Sequence, residues 1–375
     1  MKANTVSKSN PWLYWFAVLT ALATLALIGI GGLVTSHEAG MSVPDWPTTY
    51  GYNMFLFPIN KWLGGIFYEH SHRLLASLVG LMTTILAVWL WLKDSRPWMS
   101  WLGVAAFLLV VAQGVLGGLR VTMHMDSLGI YHATIAQLFF VLTCAIALFT
   151  SRWWMNLSPV AAVCDRRQNS EMNATVADRR YKNLRGLVLF TTVLIFAQLI
   201  IAAAMRHQHA GLAISDFPLA HGRLWPDTSA EAVARYNAQR VSINAENPIT
   251  AFQIELQMAH RIVALAIIIC VGIAAFCNRR CQSAERAVAV RLSLVWLGLT
   301  LIQIGLGAAT IWTNKAADVA TAHVLVGALA LAVGALWCAI AFRDSVAAVC
   351  DRRTEQRTSP GTTAIGAQPA MTGNK

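Results

Sequence analysis

The sequence predicts an all-α polytopic membrane protein with eight transmembrane helices, arranged as two tandem four-helix bundles related by pseudo-twofold symmetry. Three observations predict it. The chain of 375 residues is 56% hydrophobic and only 13% charged, with 14 Trp, a balance foreign to soluble domains. It holds eight apolar runs long enough for a bilayer, whose hydrocarbon core takes about 20 helical residues to cross. Its two halves also repeat one another in order and spacing. The net charge of +11 would suggest nucleic acid in a soluble domain. Here the basic residues gather between apolar runs, as topology signals do, and no nucleic-acid partner is expected.

The runs fall at residues 12–35, 69–92, 99–121, 127–151, 184–206, 252–276, 288–311 and 318–342. The first is a true span, because no small-residue cleavage site follows it before "GGLVTSHEAG". Residues 1–151 are expected to form the N-terminal unit, 152–183 a cytoplasmic linker, 184–342 the C-terminal unit and 343–375 a disordered cytoplasmic tail. Most of the 29 Lys and Arg residues share one side of this arrangement. That bias puts both termini in the cytoplasm and turns the long loops 36–68 and 207–251 outward. The location that follows is a bacterial inner membrane, with lipid as the surrounding partner. All seven cysteines lie in spans or on the cytoplasmic side, so no structural disulfide is expected. The Cys277/Cys281 pair has no second pair beside it and is not read as a metal site.

The repeat is explicit in four places. "AGMSVPDWP" from Ala39 returns as "AGLAISDFP" from Ala210, 171 residues later. "HSHR" ending at Arg73 returns as "MAHR" ending at Arg261, "QGVLGG" from Gln113 as "QIGLGA" from Gln303, and His132 as His323. A four-span unit returns the chain to its starting side, so the copies run parallel about an axis along the membrane normal. A separate octapeptide, "VAAVCDRR", occurs identically at Val160 and Val346. It lies in polar segments and is assigned no function.

Of the ten histidines, His37, His70, His124, His207, His209 and His221 lie in or beside outer loops, and His70 is read as an interfacial bystander. His72, His132, His260 and His323 sit inside even-numbered spans, one on the second and one on the fourth helix of each half. Ionisable groups inside a membrane mark sites. An imidazole from each of two helices of a bundle is the arrangement for axial ligation of a haem iron, so two pairs point to two haem sites.

Arg73 and Arg261 directly follow two of these histidines, where a guanidinium could pair with a haem propionate or snorkel toward lipid phosphate. The glycines of "QGVLGG" and "QIGLGA" would admit either a flat macrocycle or a neighbouring helix. Glu69 lies three residues before His72, whereas its counterpart in the second half is Gln257. A carboxylate there could serve as general base, or pair with Arg73 or an outer-loop residue.

Together these residues resemble the haem A synthase family: eight spans in two halves, an ExxHR at the second span (Glu69, His72, Arg73), its counterpart (His260, Arg261), single histidines in the fourth and eighth spans, and a PDWP-like outer loop. The likeness extends from residue 12 to 342. It implies an oxidoreductase converting a ring methyl of haem O to the formyl group of haem A, for terminal oxidases. It further implies that His260 and His323 ligate a haem b cofactor with Arg261 beside them. His72 and His132 would then hold substrate haem O near Arg73, with Glu69 the carboxylate needed for turnover. The implied partners are the haem O synthase and an electron acceptor. Gram-positive members carry an outer-loop cysteine pair that this chain lacks. The rival class is a two-haem membrane cytochrome carrying electrons from quinol to another acceptor, without chemistry on the haem.

Overall fold

The structure is a computed structural model and describes residues 10–156, 171–240, 248–279 and 286–358. Eight long helices dominate it: α1 (Pro11–Ser36), α2 (Gly65–Lys93), α3 (Pro97–Thr122), α4 (Ser127–Thr150), α5 (Glu171–His207), α6 (Ala251–Arg279), α7 (Arg286–Trp312) and α8 (Ala317–Thr358). Each contains a segment apolar and long enough to cross a membrane, all eight overlapping the predicted spans. Among the described residues β-structure is limited to two isolated bridges. The protein is a multi-pass, all-α membrane protein.

Local signals set the helix starts. The Asn10 side chain accepts from the backbone N–H groups of Trp12 (3.0 Å) and Leu13 (3.4 Å), and Pro11 opens α1, satisfying donors that a helix start leaves free. Pro97 opens α3 in the same way. Helix α2 begins at Gly65, ahead of the predicted 69.

Within α1–α4 each helix packs on the next and α4 returns to α1; α5–α8 close in the same way. The quartets meet along a seam where α1 and α4 touch α8 and α4 touches α5. Buried residues of the first quartet centre on Val79, Leu86, Leu90, Met99 and Ile146, those of the second on Val188, Val271, Trp296 and Trp337. At the seam a Cβ on Gly32 would stand 3.0 Å from Thr321 Cγ2, so glycine lets α1 and α8 approach closely. Exposed side chains such as Leu81, Val88, Ile262 and Ile269 face outward from the quartets, as lipid contact requires.

Two helices run past the predicted spans: the last continues to Thr358, and the segment before the fifth span is helical from Glu171, with a short helix Arg152–Asn156 ahead of it. Extending an existing helix avoids the nucleation cost, and "VADRRYKN" and "CDRRTEQR" supply good helix formers. Charge there marks the edge of the apolar span and not the end of the helix. The second VAAVCDRR copy therefore lies on helical backbone, while the first copy, Cys281 and the tail beyond Thr358 fall outside the described residues.

Candidate functional site

Both long loops fold by the same bonds. Asp45 accepts the N–H of Tyr50 (2.7 Å) and of Gly51 (2.8 Å), and Asp216 accepts those of His221 (2.7 Å) and Gly222 (2.8 Å). Tyr50 and Gly51 have φ of 49° and 75°, His221 and Gly222 of 51° and 76°, so a glycine occupies the more strained turn position in each. Trp46–Pro47 and Phe217–Pro218 are both cis. The Tyr50 hydroxyl donates to the Ser42 carbonyl at 2.5 Å, and His221 Nε2 to the Ala213 carbonyl at 3.1 Å. Burial pushes the Asp45 carboxyl upward, but its bonds from Gly51, Thr48 and Tyr50 outweigh that and hold it below the ordinary value of 3.8.

The loops are locked onto α2 and α6 by residues the sequence had singled out. Arg73 donates through Nη1 to the carbonyls of Asp45 (2.7 Å) and Thr48 (3.1 Å), and through Nη2 to Val43 (3.0 Å) and Glu69 Oε1 (2.7 Å). Arg261 reaches the matching carbonyls of Asp216 (2.7 Å) and Leu219 (2.8 Å). The Val43 N–H donates to Glu69 Oε2 at 2.8 Å; the Ile214 N–H donates to Gln257 Oε1 at 2.7 Å. Gln257 Nε2 covers the carbonyls of Gly211 and Ile214, each at 3.3 Å. Both arginines thus direct guanidinium nitrogens to loop carbonyls. Glu69 makes the bonds of its second reading, to Arg73 and to the outer loop.

His72 and His260 directly precede the arginines of this lock on α2 and α6, and His132 and His323 stand on α4 and α8. Glycine makes room for three of the rings: a Cβ on Gly31, Gly117 or Gly307 would lie 3.0, 3.4 or 3.2 Å from Cε1 of His72, His132 or His323. The His260 and His323 rings face each other with centroids 6.4 Å apart. That span is what two metal–nitrogen bonds of about 2 Å plus the half-widths of two imidazoles require. His72 and His132 are within electrostatic reach of one another. Nδ1 of all four rings is buried without a hydrogen-bond partner, a costly state for a polar atom in a membrane interior.

Among the described residues no three His, Cys, Asp or Glu side chains gather as a bare metal site would require. Two imidazoles per site fall short of the four donors of a closed zinc centre, yet suffice for an iron that brings its own equatorial ligands. The residues present therefore fit a haem.

A family model described as cytochrome oxidase assembly protein, COX15-CtaA, matches residues 14–334. The chain belongs to the COX15-CtaA family. Three curated relatives, each named heme A synthase, share its length as well. That of Shouchella clausii is 26% identical over 302 residues, covering 80% of this chain and 86% of the relative. That of Halalkalibacterium halodurans is 27% identical over 83% and 91%, and that of Bacillus mycoides 25% identical over 92% and 98%.

The structure of this COX15-CtaA chain also brings forward residues whose roles the sequence hid. Arg120, on α3, lies within electrostatic reach of His72 and His132. Arg206, at the end of α5, is within reach of His323 and crosses the seam, donating to the Gly32 carbonyl (2.5 Å) and Ser36 Oγ (2.6 Å). Neither has an arginine at its counterpart in the other half, so the repeat gave no signal. His207 packs against Gly129 of α4, where a Cβ would collide with its ring. His70 is no interfacial bystander: it is fully buried among Phe57 and Trp62, with Thr49 Oγ1 3.3 Å from its Nδ1. The loop folds back over it, which an extrapolated helix face does not reveal.

Proposed function

We propose that this protein is a haem A synthase, oxidising a ring methyl of haem O to a formyl group to give haem A for terminal oxidases. The observation that carries this reading is the set of four intramembrane imidazoles, one on each even-numbered helix and each with its Nδ1 buried, in a chain of the COX15-CtaA family. His260 and His323 hold haem b, and His72 and His132 hold the substrate haem O. A bound haem b supplies a reversible one-electron carrier. Residues 1–151 form the substrate unit and 184–342 the cofactor unit, joined by 152–183. The protein sits in the bacterial inner membrane with both termini cytoplasmic, beside the haem O synthase and an electron acceptor.

The chain's own groups divide the remaining work. The imidazoles orient each ring system within its quartet. Arg120, within electrostatic reach of His72 and His132, and Arg206, within reach of His323, suit the carboxylates of the bound haems. Arg73 and Arg261 hold the loops that close each site from water. With water as the oxygen source, conversion of a methyl to a formyl group releases protons and passes electrons to the acceptor, and His72 and His132 would hold the haem whose methyl reacts. Glu69, one turn before His72, is the carboxylate placed to accept a proton.

Glu69→Gln tests the reading cleanly, because Gln257 already performs the loop-locking task in the second half. The variant and the parent are expressed in cells that make haem O and lack haem A, and the extracted haem is identified by chromatography and mass. The expected result is haem A from the parent, and haem O or a partly oxidised haem from the variant with its loop intact. Unmodified haem O from the parent would overturn the synthase reading in favour of a two-haem cytochrome.

A further inference from the structure

The first long loop carries an apolar surface that its own fold does not cover. Phe57 and Trp62 turn inward onto His70, with ring centroids 5.0 and 4.6 Å from it, and the Trp62 Nε1–H donates to the Phe57 carbonyl at 3.4 Å. Around these anchors two short helical turns, Met54–Leu56 and Ile59–Lys61, hold other side chains outward. Phe55 is 68% exposed, Leu56 76%, Ile59 80% and Leu63 72%. Large apolar side chains held this far out on ordered backbone mark an interaction surface. They lie outside the eight spans, so the lipid contact of the helices does not account for them.

We infer that residues 53–64 lie in the membrane interface, with their apolar side chains among the acyl chains of the loop-side leaflet and Lys61 against lipid phosphate. Continuity favours lipid over a protein partner. The Ile66 N–H donates to the Leu63 carbonyl at 3.2 Å as the chain enters α2. There Phe67 opens a stripe of exposed side chains, Leu78, Leu81, Ile85 and Leu92, all within about 60° of one another at 3.6 residues per turn. Charge favours lipid as well: between Asp45 and Glu69 the sequence holds no Asp or Glu, and Lys61 is its one charged residue. Lys61 Nζ donates to the Tyr52 hydroxyl at 2.9 Å and stands 4.6 Å from the centroid of that ring, which fixes the ammonium beside an aromatic side chain with N–H donors left over. Basic and aromatic side chains gather at the level of lipid headgroups. The second loop lacks this device. After Leu224 and Trp225 it continues into a helix, Ala230–Gln239, whose Glu231 and Arg235 are exposed. One half of the repeat is therefore moored to the bilayer through its loop as well as its helices, whether or not the histidine pairs hold haem.

The test places the photoreactive residue p-benzoylphenylalanine at Ile59 of the full-length protein, a position exposed enough to accept the larger side chain. The membranes of the expressing cell are irradiated, the protein is purified, and its adducts are identified by mass spectrometry. Position 59 should yield a phospholipid adduct, as should the same probe at Leu81 on the outward face of α2. The probe at Trp225, 62% exposed in the second loop, should yield none. Adding Lys61→Glu to the Ile59 probe should lower its lipid yield, since a carboxylate is repelled by lipid phosphate. A crosslink from position 59 to another protein or to a second copy of this chain would overturn the inference. So would the absence of an adduct there while position 81 reacts, or equal lipid yields at 59 and 225. A yield unchanged by Lys61→Glu would overturn the headgroup contact.

Discussion

Arg73 Nη2 lies 2.7 Å from Glu69 Oε1, one turn apart on α2, with both side chains buried under the first long loop. On α6 the corresponding pair is Arg261 and the neutral Gln257, and no ion pair forms there among the described bonds. One half therefore seals its loop with a charge pair, the other with an amide.

Arg73→Ala should destabilise more than Arg261→Ala. Removing Arg73 leaves the Glu69 carboxylate buried without its counter-charge, a loss of about 3 kcal/mol, whereas removing Arg261 costs only its two carbonyl bonds, about 1–2 kcal/mol. Adding Glu69→Gln to Arg73→Ala should recover part of the loss. Thermal melts in detergent check this; equal destabilisation by the two arginine variants would refute the charge-pair account.

The two loops should differ in acid. Burial holds the His221 ring below its ordinary 6.5, against weaker upward pulls from the Ala213 carbonyl and Asp216, and the ring stacks on Tyr236 at 3.7 Å. Above 6.5 neither the folded nor the open loop is protonated and the ring has no effect on pH dependence. As pH falls below 6.5 the open loop takes up a proton that the folded loop refuses, so stability drains from the second loop. The first loop has Tyr50 at that position. Among its own carboxylates Asp45 is depressed, and the stabilisation it gives is present above 3.8 and is lost as pH falls through its lower folded value. After correction for the slower intrinsic exchange in acid, amide protection in the second loop should be lower at pH 5.5 than at pH 7.5, and His221→Tyr should remove that loss.

Gly118→Ala and Gly129→Ala should each destabilise by about 1–3 kcal/mol. A Cβ at 118 runs into the Trp46 ring, and one at 129 into the His207 ring, both contacts where a rigid ring rather than a flexible tip must give way. Gly80→Ala, where nothing lies within 4 Å of the added atom, is the control and should be near neutral.

His260→Ala and His323→Ala should each abolish the bound haem b and halve total haem, leaving the other site filled. The pyridine haemochrome spectrum together with haem-to-protein ratio reads this directly. Full haem content in both variants would disprove the ligand assignment.

Much of this arrangement was legible in the chain. Hydropathy placed the spans because lipid demands long apolar helices, and the spacing of His72, His132, His260 and His323 isolated four rings that the fold does bury. The hold of the arginines on the loops is not legible: adjacency to histidine along a helix says nothing about three loop carbonyls converging on Arg73 from residues 43–48. His70 was missed for the same reason, since its burial comes from Phe57 and Trp62 folding back over it. Gln113 and Gln303 marked the repeat, but their amides act across a helix pair, onto the carbonyls of His132 and His323, a relation that linear spacing does not encode.

Arg206 crosses the seam to Gly32 and Ser36 of α1, and 171 residues before it the first half has Thr35. Two identical subunits related by a twofold axis would have to carry such an arginine at both ends of their interface or at neither. A single polypeptide holding both copies is free to keep it once.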